Sequence, residues 1–438
     1  MNASKIYKLY IENNHPVCTD SRSKKIKGSI FFAIQGDEFN GNNFAIEAIK
    51  KGAVVAIIDN PKIQHTSCIL VKNVIETLQS VASIHRQKHQ IPIVAITGSN
   101  GKTTTKDILT KILSSKYETL STQGNFNNHI GLPITILSLR KNHEIAVIEM
   151  GANHLREIKK LCEIAQPTHG IITNIGSAHI GEFGGIENII KAKNELFDYL
   201  KKHNKCIIYN EDDKILNKLV DNYPNTQPYI LPKSISTDQF NESLDFSYKY
   251  DPYISINYKD STKVKTNILG KYNLNNIISA IKISTLFNIK KDKSSKILAN
   301  LELKNNRSQF IQTNKNNIIL DAYNANPTSM SASILNFIEM NIHLKYKKMF
   351  FILGDMLELG TKELEYHQEV INLLEKHKIE NCILVGEIFN QVKCINNYTK
   401  VYNIEDIFDS IEKYNIQGYS ILIKGSRKLK LEEITHLL

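Results

Sequence analysis

The sequence predicts an α/β protein of three domains, and three observations indicate this fold class. The chain has 438 residues, which is about three times the length of a typical domain. Short apolar runs of the kind found in buried strands alternate with stretches of helical periodicity. Hydrophobic residues make up 42% of the chain and charged residues 23%, a composition that argues against a disordered or fibrous protein.

Residues 1–88 are predicted to form a small N-terminal α/β domain. Strand-like runs lie at 29–34, 54–58 and 67–71, and helical stretches lie at 44–51 and 74–89. The polar stretch 85–90 precedes Pro92, and proline disfavours helix in the residue before it. We therefore place a domain boundary after residue 88.

The rest of the chain is predicted to form a central domain, residues 89–303, and a C-terminal domain, residues 304–438. Buried strands at 93–97, 145–150 and 170–174 alternate with amphipathic helices, which favours a mostly parallel central sheet. Period-two alternation over 244–269 predicts a small antiparallel insertion. Strands at 318–320, 349–353, 382–385 and 421–423 predict a Rossmann-like C-terminal domain. Because G-x-G-x-x-G is missing there, no dinucleotide redox cofactor is expected.

The composition also indicates in which cell compartment the protein works and which class of ligand it binds. The N-terminus lacks the apolar core of a secretory signal, and no apolar run approaches the ~20 residues that cross a bilayer. The six cysteines are scattered, as expected of reduced thiols in a cytoplasmic protein. The net charge is +11, but its basic residues are dispersed. We therefore expect no membrane span and no nucleic-acid partner, and an acidic small substrate is the better explanation of a positive field.

A phosphate-binding loop follows the first central strand. The strand at 93–97 runs into Gly98-Ser99-Asn100-Gly101-Lys102-Thr103-Thr104, and a helix with apolar periodicity comes next. Glycines let backbone N–H groups approach phosphate oxygens, Lys102 reaches the terminal phosphates, and Thr103 can hold magnesium. The loop is shorter than the standard one, which has glycine where Ile96 stands, and an ordinary glycine turn is the alternative. The central domain is thus predicted to be of the P-loop type.

Two further polar residues follow central strands. Glu149 ends the apolar run 145–148, at the edge where an open parallel sheet presents its ligands, so a magnesium ligand is predicted and a capping carboxylate is the alternative. His179 lies in the loop after the next strand. A lone loop histidine is usually a surface residue, but its position beside two other strand ends favours a role in the site.

Lys193 stands in the middle of an apolar helix face. The helix predicted over 186–200 places its apolar residues on one side at about 100° per residue, and Lys193 falls among them. Burying an unpaired ammonium is costly, so this lysine needs a partner or a changed protonation state. The alternative is a lysine whose long stem carries the charge to solvent at a domain edge.

Together these residues resemble the Mur ligase family over nearly the whole chain. The resemblance covers the loop at 98–104, Glu149, His179 in the segment 173–179, and Lys193 in Ala-Lys-Asn-Glu-Leu-Phe. It implies ATP, two magnesium ions, and a carbamylated Lys193 that holds the second ion together with His179. It also implies that Asn273 contacts adenine, although Tyr272 stands where histidine is usual.

The C-terminal domain indicates a branch of this family. Asp-Ala-Tyr-Asn-Ala-Asn-Pro-Thr-Ser-Met at 321–330 is similar to the signature of the members that add D-alanyl-D-alanine, and the segments 353–360 and 424–427, with His367, point the same way. The resemblance implies roles for several residues. Arg307 and Asp321 would face the nucleotide, Arg427 the peptide, and Asn128, Asn324 and Asn326 the substrates.

In the first domain, Ser21, Arg22 and the stretch 28–33 resemble the part of the family that holds a uridine nucleotide. Asn40-Gly41-Asn42 replaces a more usual Asp-Gly-His. Asp59-Asn60-Pro61-Lys62 is similar to a selectivity motif of a sibling enzyme, but that motif belongs to the third domain, so here we interpret it as a turn.

The resemblance implies an ATP-dependent ligase that acts through an acyl-phosphate. ATP would activate the terminal carboxylate of a UDP-muramyl tripeptide, which ends in diaminopimelate or lysine, and the amine of D-alanyl-D-alanine would then attack. A sibling ligase, including one like folylpolyglutamate synthetase, is the nearest alternative, and a P-loop ATPase that acts on nucleic acid is a more distant one. We expect a monomer.

Overall fold

The computed structural model describes residues 2–12, 16–231, 246–251, 253–258, 260, 262–303, 306–341, 344, 346–414 and 416–438. The first residue of the predicted insertion, 244, and the predicted boundary residue 304 lie outside these ranges. The described residues form three mostly parallel sheets and one antiparallel sheet. Each of the three ranges predicted as domains contains one of the mostly parallel sheets, while the boundaries themselves stay predictions.

The N-terminal part is a parallel sheet of order β1-β2-β3-β4 with helices around it. Its strands are β1 Val17–Cys18, β2 Ile30–Phe32, β3 Val55–Ile58 and β4 Cys68–Leu70. Its helices are α1 Ala3–Glu12, a 3-10 helix at Gly41–Phe44, α2 Ala45–Lys50 and α3 Val74–Lys88. Every residue of β2 and β3 is buried, as parallel strands covered on both faces must be.

Helix α3 belongs by sequence to the first part but is fastened to the next. The guanidinium of Arg86, which is 4% exposed, donates from Nε to the carbonyl of Ala165 at 2.8 Å and from Nη2 to that of Gln166 at 3.1 Å. Burial lowers the pKa of Arg86 to about 10. The first two parts of the chain are therefore joined by a buried cation that caps carbonyl groups.

The central part is built on a six-stranded parallel sheet of order β10-β9-β8-β5-β7-β6. Its elements are β5 Ile93–Thr97, α4 Lys102–Leu113, β6 Thr119–Ser121, α5 Gly131–Leu137, β7 Ile145–Glu149, α6 Glu157–Ala165, β8 His169–Ile172, α7 Ile180–Phe183, α8 Ile186–Lys202, β9 Cys206–Asn210, α9 Lys214–Val220 and β10 Thr226–Tyr229. β5 lies between β7 and β8, so the carboxyl ends of these three strands meet at one edge, where such sheets bind ligands.

The predicted antiparallel insertion is confirmed in its described residues. It consists of β11 Phe246–Asp251, β12 Tyr253–Tyr258 and β13 Lys263–Leu269, paired in that order. Exposed and buried residues alternate along the first six residues of β13, which is the period-two pattern of a sheet with one solvated face. Helices α10 Asn273–Leu286 and α11 Lys291–Ala299 follow.

The C-terminal part is built on another six-stranded sheet, of order β14-β15-β19-β16-β17-β18. In this sheet β14 is antiparallel to β15, and all other neighbouring strands are parallel. Its strands are β14 Gln309–Gln312, β15 Asn317–Asp321, β16 Lys348–Gly354, β17 Cys382–Val385, β18 Thr399–Val401 and β19 Tyr419–Lys424. Its helices are α12 Pro327–Met340, α13 Glu363–Lys376, α14 Glu387–Gln391 and α15 Glu405–Tyr414, with 3-10 turns at Gly360–Lys362, Arg427–Leu429 and Leu431–Leu437. Among all described helices, none combines the length and the apolar character that a bilayer crossing requires.

Replacing Arg86 with alanine is expected to destabilise the protein by about 3 kcal/mol, because the substitution removes the donors to the carbonyl groups of Ala165 and Gln166 at the end of α6. A loss of this size lowers the melting temperature by roughly 6–12 °C in a domain of 150–250 residues. Lys88→Ala, at an exposed position of the same helix, is the matched control and should change stability by less than ~0.5 kcal/mol. Equal melting temperatures for the two variants would contradict the role of Arg86.

Candidate active site

Two glycines allow the loop after β5 to turn tightly. Gly98 has φ +139° and Gly101 has φ +80°, both in the region that favours glycine. A Cβ atom on Gly98 would lie 2.1 Å from the hydroxyl of Thr173, and one on Gly101 would lie 2.3 Å from Oδ1 of Asn276. Space and backbone angle together restrict both positions to glycine.

The loop is fastened to the residues that follow β8. The backbone N–H of Ser99 donates to the carbonyl of Asn174, and that of Asn100 donates to Oδ1 of Asn174, both at 3.0 Å. The Thr173 hydroxyl donates to the carbonyl of Asn100 at 2.6 Å. The predicted phosphate loop is therefore a rigid turn that ends at the N-terminus of α4, where a helix favours an anion.

Lys102 is the first residue of α4, and its ammonium folds back over the loop. Nζ donates to the carbonyl of Gly98 at 2.6 Å and to that of Ser99 at 3.2 Å. Burial lowers the pKa of Lys102, the nearby Glu149 carboxylate raises it, and the Arg307 cation lowers it further. This cation is thus in place to meet a phosphate bound at the loop.

Glu149 ends β7 and is 2% exposed. Its Oε1 accepts a hydrogen bond from Nδ2 of Asn127 at 2.8 Å, and its backbone N–H donates to the hydroxyl of Thr122 at 2.9 Å. Oε2 is buried and finds no hydrogen-bond partner among the described residues. A buried carboxylate oxygen left without a donor is a ready ligand for a hard cation.

His179 has φ +57°, in the left-handed region, and stands just before the short helix α7. Its Nδ1 lies 2.5 Å from Oε2 of Glu358 in the C-terminal part and 3.7 Å from Oε2 of Glu182. The pairing with His179 lowers the pKa of Glu358. His179 is therefore held at the junction of the two parts of the chain.

The ammonium of Lys193 does not reach solvent. The residue is 2% exposed, its Nζ donates to the carbonyl of Ala152 at 3.4 Å, and the ring centroid of Phe183 lies 5.3 Å away. Burial, and next the positive charge of Lys102, lower the pKa of Lys193 to about 7. A large share of this side chain is then a neutral amine at neutral pH.

Asp321 ends β15 and is held by Lys424 of β19, the first residue of the segment 424–427, to which the sequence assigned no individual role. Nζ of Lys424, whose side chain is 1% exposed, donates to Oδ2 of Asp321 at 2.7 Å and to the carbonyl of Asn324 at 3.3 Å. The Ser333 hydroxyl donates to the same carboxylate oxygen at 3.2 Å. A polar residue after the apolar run of β19 was the available signal for Lys424, as it was for Glu149.

The ring of Tyr323 lies near two arginines, Arg307 and Arg427, for which the resemblance implies roles in the site. The guanidinium carbon of Arg307 lies 3.7 Å from the ring centroid of Tyr323, and that of Arg427 lies 5.7 Å from it. Arg427 also pairs with Glu432 at 3.1 Å and has a 60% exposed side chain. Arg307 is thus fixed by cation–π contact, while Arg427 extends toward solvent.

Asn326 joins the C-terminal part directly to the phosphate loop. Its Nδ2 donates to Oδ1 of Asn100 at 2.8 Å, while its own Oδ1 accepts from the backbone N–H of Ser329 at 2.9 Å and caps α12. Beside it, the hydroxyl groups of Ser177 and Thr328 lie 2.9 Å apart. The residue predicted to contact substrate therefore contacts the loop.

Asn273 and Asn128 line the site with side chains that already have partners. Nδ2 of Asn273 donates to the carbonyl of Leu269 at 2.7 Å, and its Oδ1 accepts from Asn276 at 2.8 Å. Oδ1 of Asn128 accepts from the backbone N–H of Gly131 at 2.9 Å, at the start of α5. Tyr272 shares a hydrogen bond of 2.6 Å with the hydroxyl of Ser308.

These groups surround a cavity of about 610 Å³ between the central and C-terminal parts. The predicted site residues that line it are Ser99, Asn100, Gly101, Lys102, Thr103, Thr104, Asn128, Glu149, His179, Asn273, Arg307, Asp321 and Asn324. Lys193 lies behind Ala152, which is part of the wall. Ser21 and Arg22 are not among its lining residues; Ser21 is buried in the N-terminal part and Arg22 pairs with Asp20 at 2.9 Å.

Comparison with known proteins places these residues in a family. The family model described as Mur ligase middle domain matches residues 96–284, and that described as Mur ligase, glutamate ligase domain, matches residues 306–427. A Bacillus subtilis protein named UDP-N-acetylmuramoyl-tripeptide--D-alanyl-D-alanine ligase is 33% identical over 437 residues, covering 96% of this chain and 92% of its own length.

Solved structures agree with that result. MurF from Acinetobacter baumannii has a TM-score of 0.82 and 27% identity, with 100% of this chain and 98% of that one covered. MurF ligase from Thermotoga maritima, solved in complex with ADP, has the same TM-score and identity over 97% of this chain and 96% of its own. The fold is thus shared from the N-terminal sheet to the C-terminal one.

Gly101→Ala should nearly abolish nucleotide binding and lower the melting temperature, because the new Cβ meets Asn276 and the backbone is left-handed. Gly124→Ala is the matched control, since Gly124 also has a positive φ, +53°, but has nothing within 4 Å of a new Cβ. Its cost should be only the ~1–2 kcal/mol of the left-handed conformation. Affinity for a fluorescent ATP analogue and thermal melting measure both effects, and tight binding by Gly101→Ala would refute the assigned loop geometry.

Proposed function

This chain belongs to the Mur ligase family, and we propose that it is an ATP-dependent ligase that joins D-alanyl-D-alanine to UDP-N-acetylmuramoyl-tripeptide. One observation carries the proposal: the phosphate loop and the segment 321–330 line the same cavity and touch through Asn100 and Asn326. A site that must bring ATP and two other substrates together needs this arrangement. We place the reaction in the cytoplasmic synthesis of peptidoglycan precursors and expect a monomer.

The proposed reaction has two steps, since a carboxylate does not acylate an amine in water without activation. An oxygen of the tripeptide's terminal carboxylate attacks the γ-phosphorus of ATP, and ADP leaves. The amine of D-alanyl-D-alanine then attacks the acyl carbon, and inorganic phosphate leaves with the carboxylate's former oxygen. Backbone N–H groups of the loop at 98–104 would hold the phosphates, and Lys102 would neutralise the charge on the transferring group.

The residues around Glu149 fit a magnesium ion. Its Oε2 is buried and lacks a donor among the described residues, and Thr103 lines the same cavity. Glu149 and Thr103 would hold the first ion, and His179 with a modified Lys193 would hold a second. When bound, the ions would neutralise charge on the phosphoryl group. Asn127, which donates to Oε1, would keep the free oxygen of Glu149 turned to the cavity.

The surroundings of Lys193 support carbamylation. Carbon dioxide reacts with a neutral amine, and burial together with the charge of Lys102 lowers the pKa of Lys193 to about 7. The product carries a negative charge and two oxygen atoms, which suit a hard cation. An ammonium at the same place would repel the ion that the site is proposed to hold.

For the remaining predicted residues, we propose which substrate each one contacts. Asp321, held by Lys424, and Arg307, held on Tyr323, would face the nucleotide from the C-terminal part. Asn324 and Arg427 would face the peptide substrates. Asn128, which lines the cavity, would contact the tripeptide, and Ser21 with Arg22 in the N-terminal part would bind the uridine nucleotide.

Phosphate release should require ATP, UDP-muramyl tripeptide and D-alanyl-D-alanine together, and omission of any one should reduce it to background. Glu149→Gln, which keeps the shape of the side chain, should lower the rate by about 10²–10³ without unfolding the protein. A continuous phosphate assay with each substrate omitted in turn measures this dependence. Rapid turnover without D-alanyl-D-alanine, or turnover stimulated only by polynucleotide, would contradict the proposed function.

Protein incubated with ¹³C-bicarbonate should give one carbamate signal by ¹³C NMR that Lys193→Ala lacks. That variant should also lose ligase activity, and acetate should restore part of it by occupying the vacated ligand position. Lys191→Ala is the control, since Lys191 is exposed on the same helix and should keep both the signal and the activity. A fully active Lys193→Met enzyme would remove the residue from the mechanism.

A further inference from the structure

Glu358 faces His179 across the junction of the central and C-terminal parts. We propose that Glu358 is a positioning residue, whose carboxylate accepts the Nδ1 proton of His179 and so turns Nε2 toward the proposed metal. The inference rests on the ligase function proposed above, and it assigns a role to a residue that contacts neither nucleotide nor peptide in that proposal. Its starting observation is the 2.5 Å separation between Nδ1 of His179 and Oε2 of Glu358, two atoms that lie close together although the buried Nδ1 makes no well-aligned hydrogen bond to a described residue.

The backbone on both sides holds this pair in place. Glu358 has φ +63° and His179 has φ +57°, so each side chain leaves a left-handed turn. The carbonyl of Glu358 accepts the backbone N–H of Gly181 at 3.0 Å. A Cβ atom on Gly181 would lie 2.3 Å from the backbone nitrogen of Gly360. The backbones of the two segments, at Gly181 and at 358–360, are therefore in direct contact beside the pair of His179 and Glu358.

A buried network anchors the segment that carries Glu358. Both oxygens of Asp355 accept backbone N–H groups at the start of α14, from Ile388 and Phe389, each at 2.9 Å. Nε2 of His367 accepts the backbone N–H of Met356 at 3.0 Å. The loop after β16 is thus fixed to the C-terminal part that carries it.

A carboxylate that accepts a hydrogen bond from one ring nitrogen of a histidine leaves the other ring nitrogen to bind a metal. When Nδ1 carries the proton and donates it to a carboxylate, Nε2 keeps the lone pair that a metal needs, and the ring is held in one orientation. Here the histidine and the carboxylate come from different parts of the chain. The metal site on His179 would therefore be fully formed only while the C-terminal part, which supplies Asp321 and Asn326, is docked.

Two variants and one matched control separate this role from simple packing. Glu358→Ala removes the acceptor, and Glu358→Gln keeps an oxygen acceptor without its charge. Glu182→Ala is the control, because its carboxylate lies 3.7 Å from the same Nδ1, beyond hydrogen-bond distance. The side chains of Glu358 and Glu182 are 44% and 32% exposed, so all three variants should fold, and melting temperatures check this.

The first readout is the ring of His179 in the metal-free protein, by long-range ¹H–¹⁵N NMR correlation, with the signal assigned by its loss in His179→Gln. We expect the Nδ1–H tautomer in the wild type and in Glu182→Ala, a shift toward Nε2–H in Glu358→Ala, and an intermediate pattern in Glu358→Gln. A merely structural role would leave the tautomer unchanged. An unaltered tautomer in Glu358→Ala would overturn the proposal.

The second readout is Mn²⁺ binding with a non-hydrolysable ATP analogue, followed by electron paramagnetic resonance. Glu358→Ala should weaken one of the bound ions about 10–100-fold, and Glu182→Ala should match the wild type. Equal weakening in both variants, or none in Glu358→Ala, would refute a specific role for Glu358. Neither readout uses ligase turnover, so a failure of the proposed function would appear only in the phosphate-release assay.

Discussion

The close contact between the phosphate loop and the residues after β8 fixes the rest of the site. Gly98 lies so near Thr173 that no side chain fits between them. Asn174 then satisfies two backbone N–H groups of the loop, one with its carbonyl and one with its side chain. With the loop in this position, the N-terminus of α4, the end of β7 and the loop of His179 face one space. A change that separates β5 from β8 would therefore displace the loop and the residues after β8 that line the cavity.

Short amide side chains make several of the hydrogen bonds around this loop, beside those of Ser99, Lys102 and Thr173. The side chains of Asn174 and Asn326 both form hydrogen bonds with Asn100 of the loop. The side chain of Asn276 accepts a hydrogen bond from Thr105, in the helix that follows the loop. An amide offers donors and acceptors on one short, rigid side chain, so it can satisfy backbone groups of either kind without adding charge. The charged groups Lys102 and Glu149 line the cavity beside these amides, where the proposed reaction would use them. This division explains why the junction of the two parts is polar where it borders the cavity.

Sequence reasoning located the features that depend on neighbours in the chain. The phosphate loop and the lysine on an apolar helix face are local patterns, and the structure places Lys102 and Lys193 as those patterns indicated. It assigned no individual role to Asn127, Lys424 or Glu358, although Glu358 and Lys424 lie in the recognised segments 353–360 and 424–427, because each of the three contacts a partner that only the fold brings near. Lys424 and Asp321, for example, are 103 residues apart. The strand β10 was missed for a different reason, since Thr-Gln-Pro-Tyr at a sheet edge has neither an apolar run nor a regular alternation.

The charges of the site suggest why a buried lysine is tolerated there at all. An ammonium at Lys193 is disfavoured twice, by the loss of water and by the charge of Lys102. Both effects favour the neutral amine, and the neutral amine is the form that captures carbon dioxide. A buried carbamate would in turn be unfavourable alone, because it is a desolvated anion. A divalent cation beside it would offset that cost, so the proposed modified lysine and the proposed metal would stabilise each other. The burial that makes Lys193 a poor cation would thus make it a precursor of a good ligand in the proposed site.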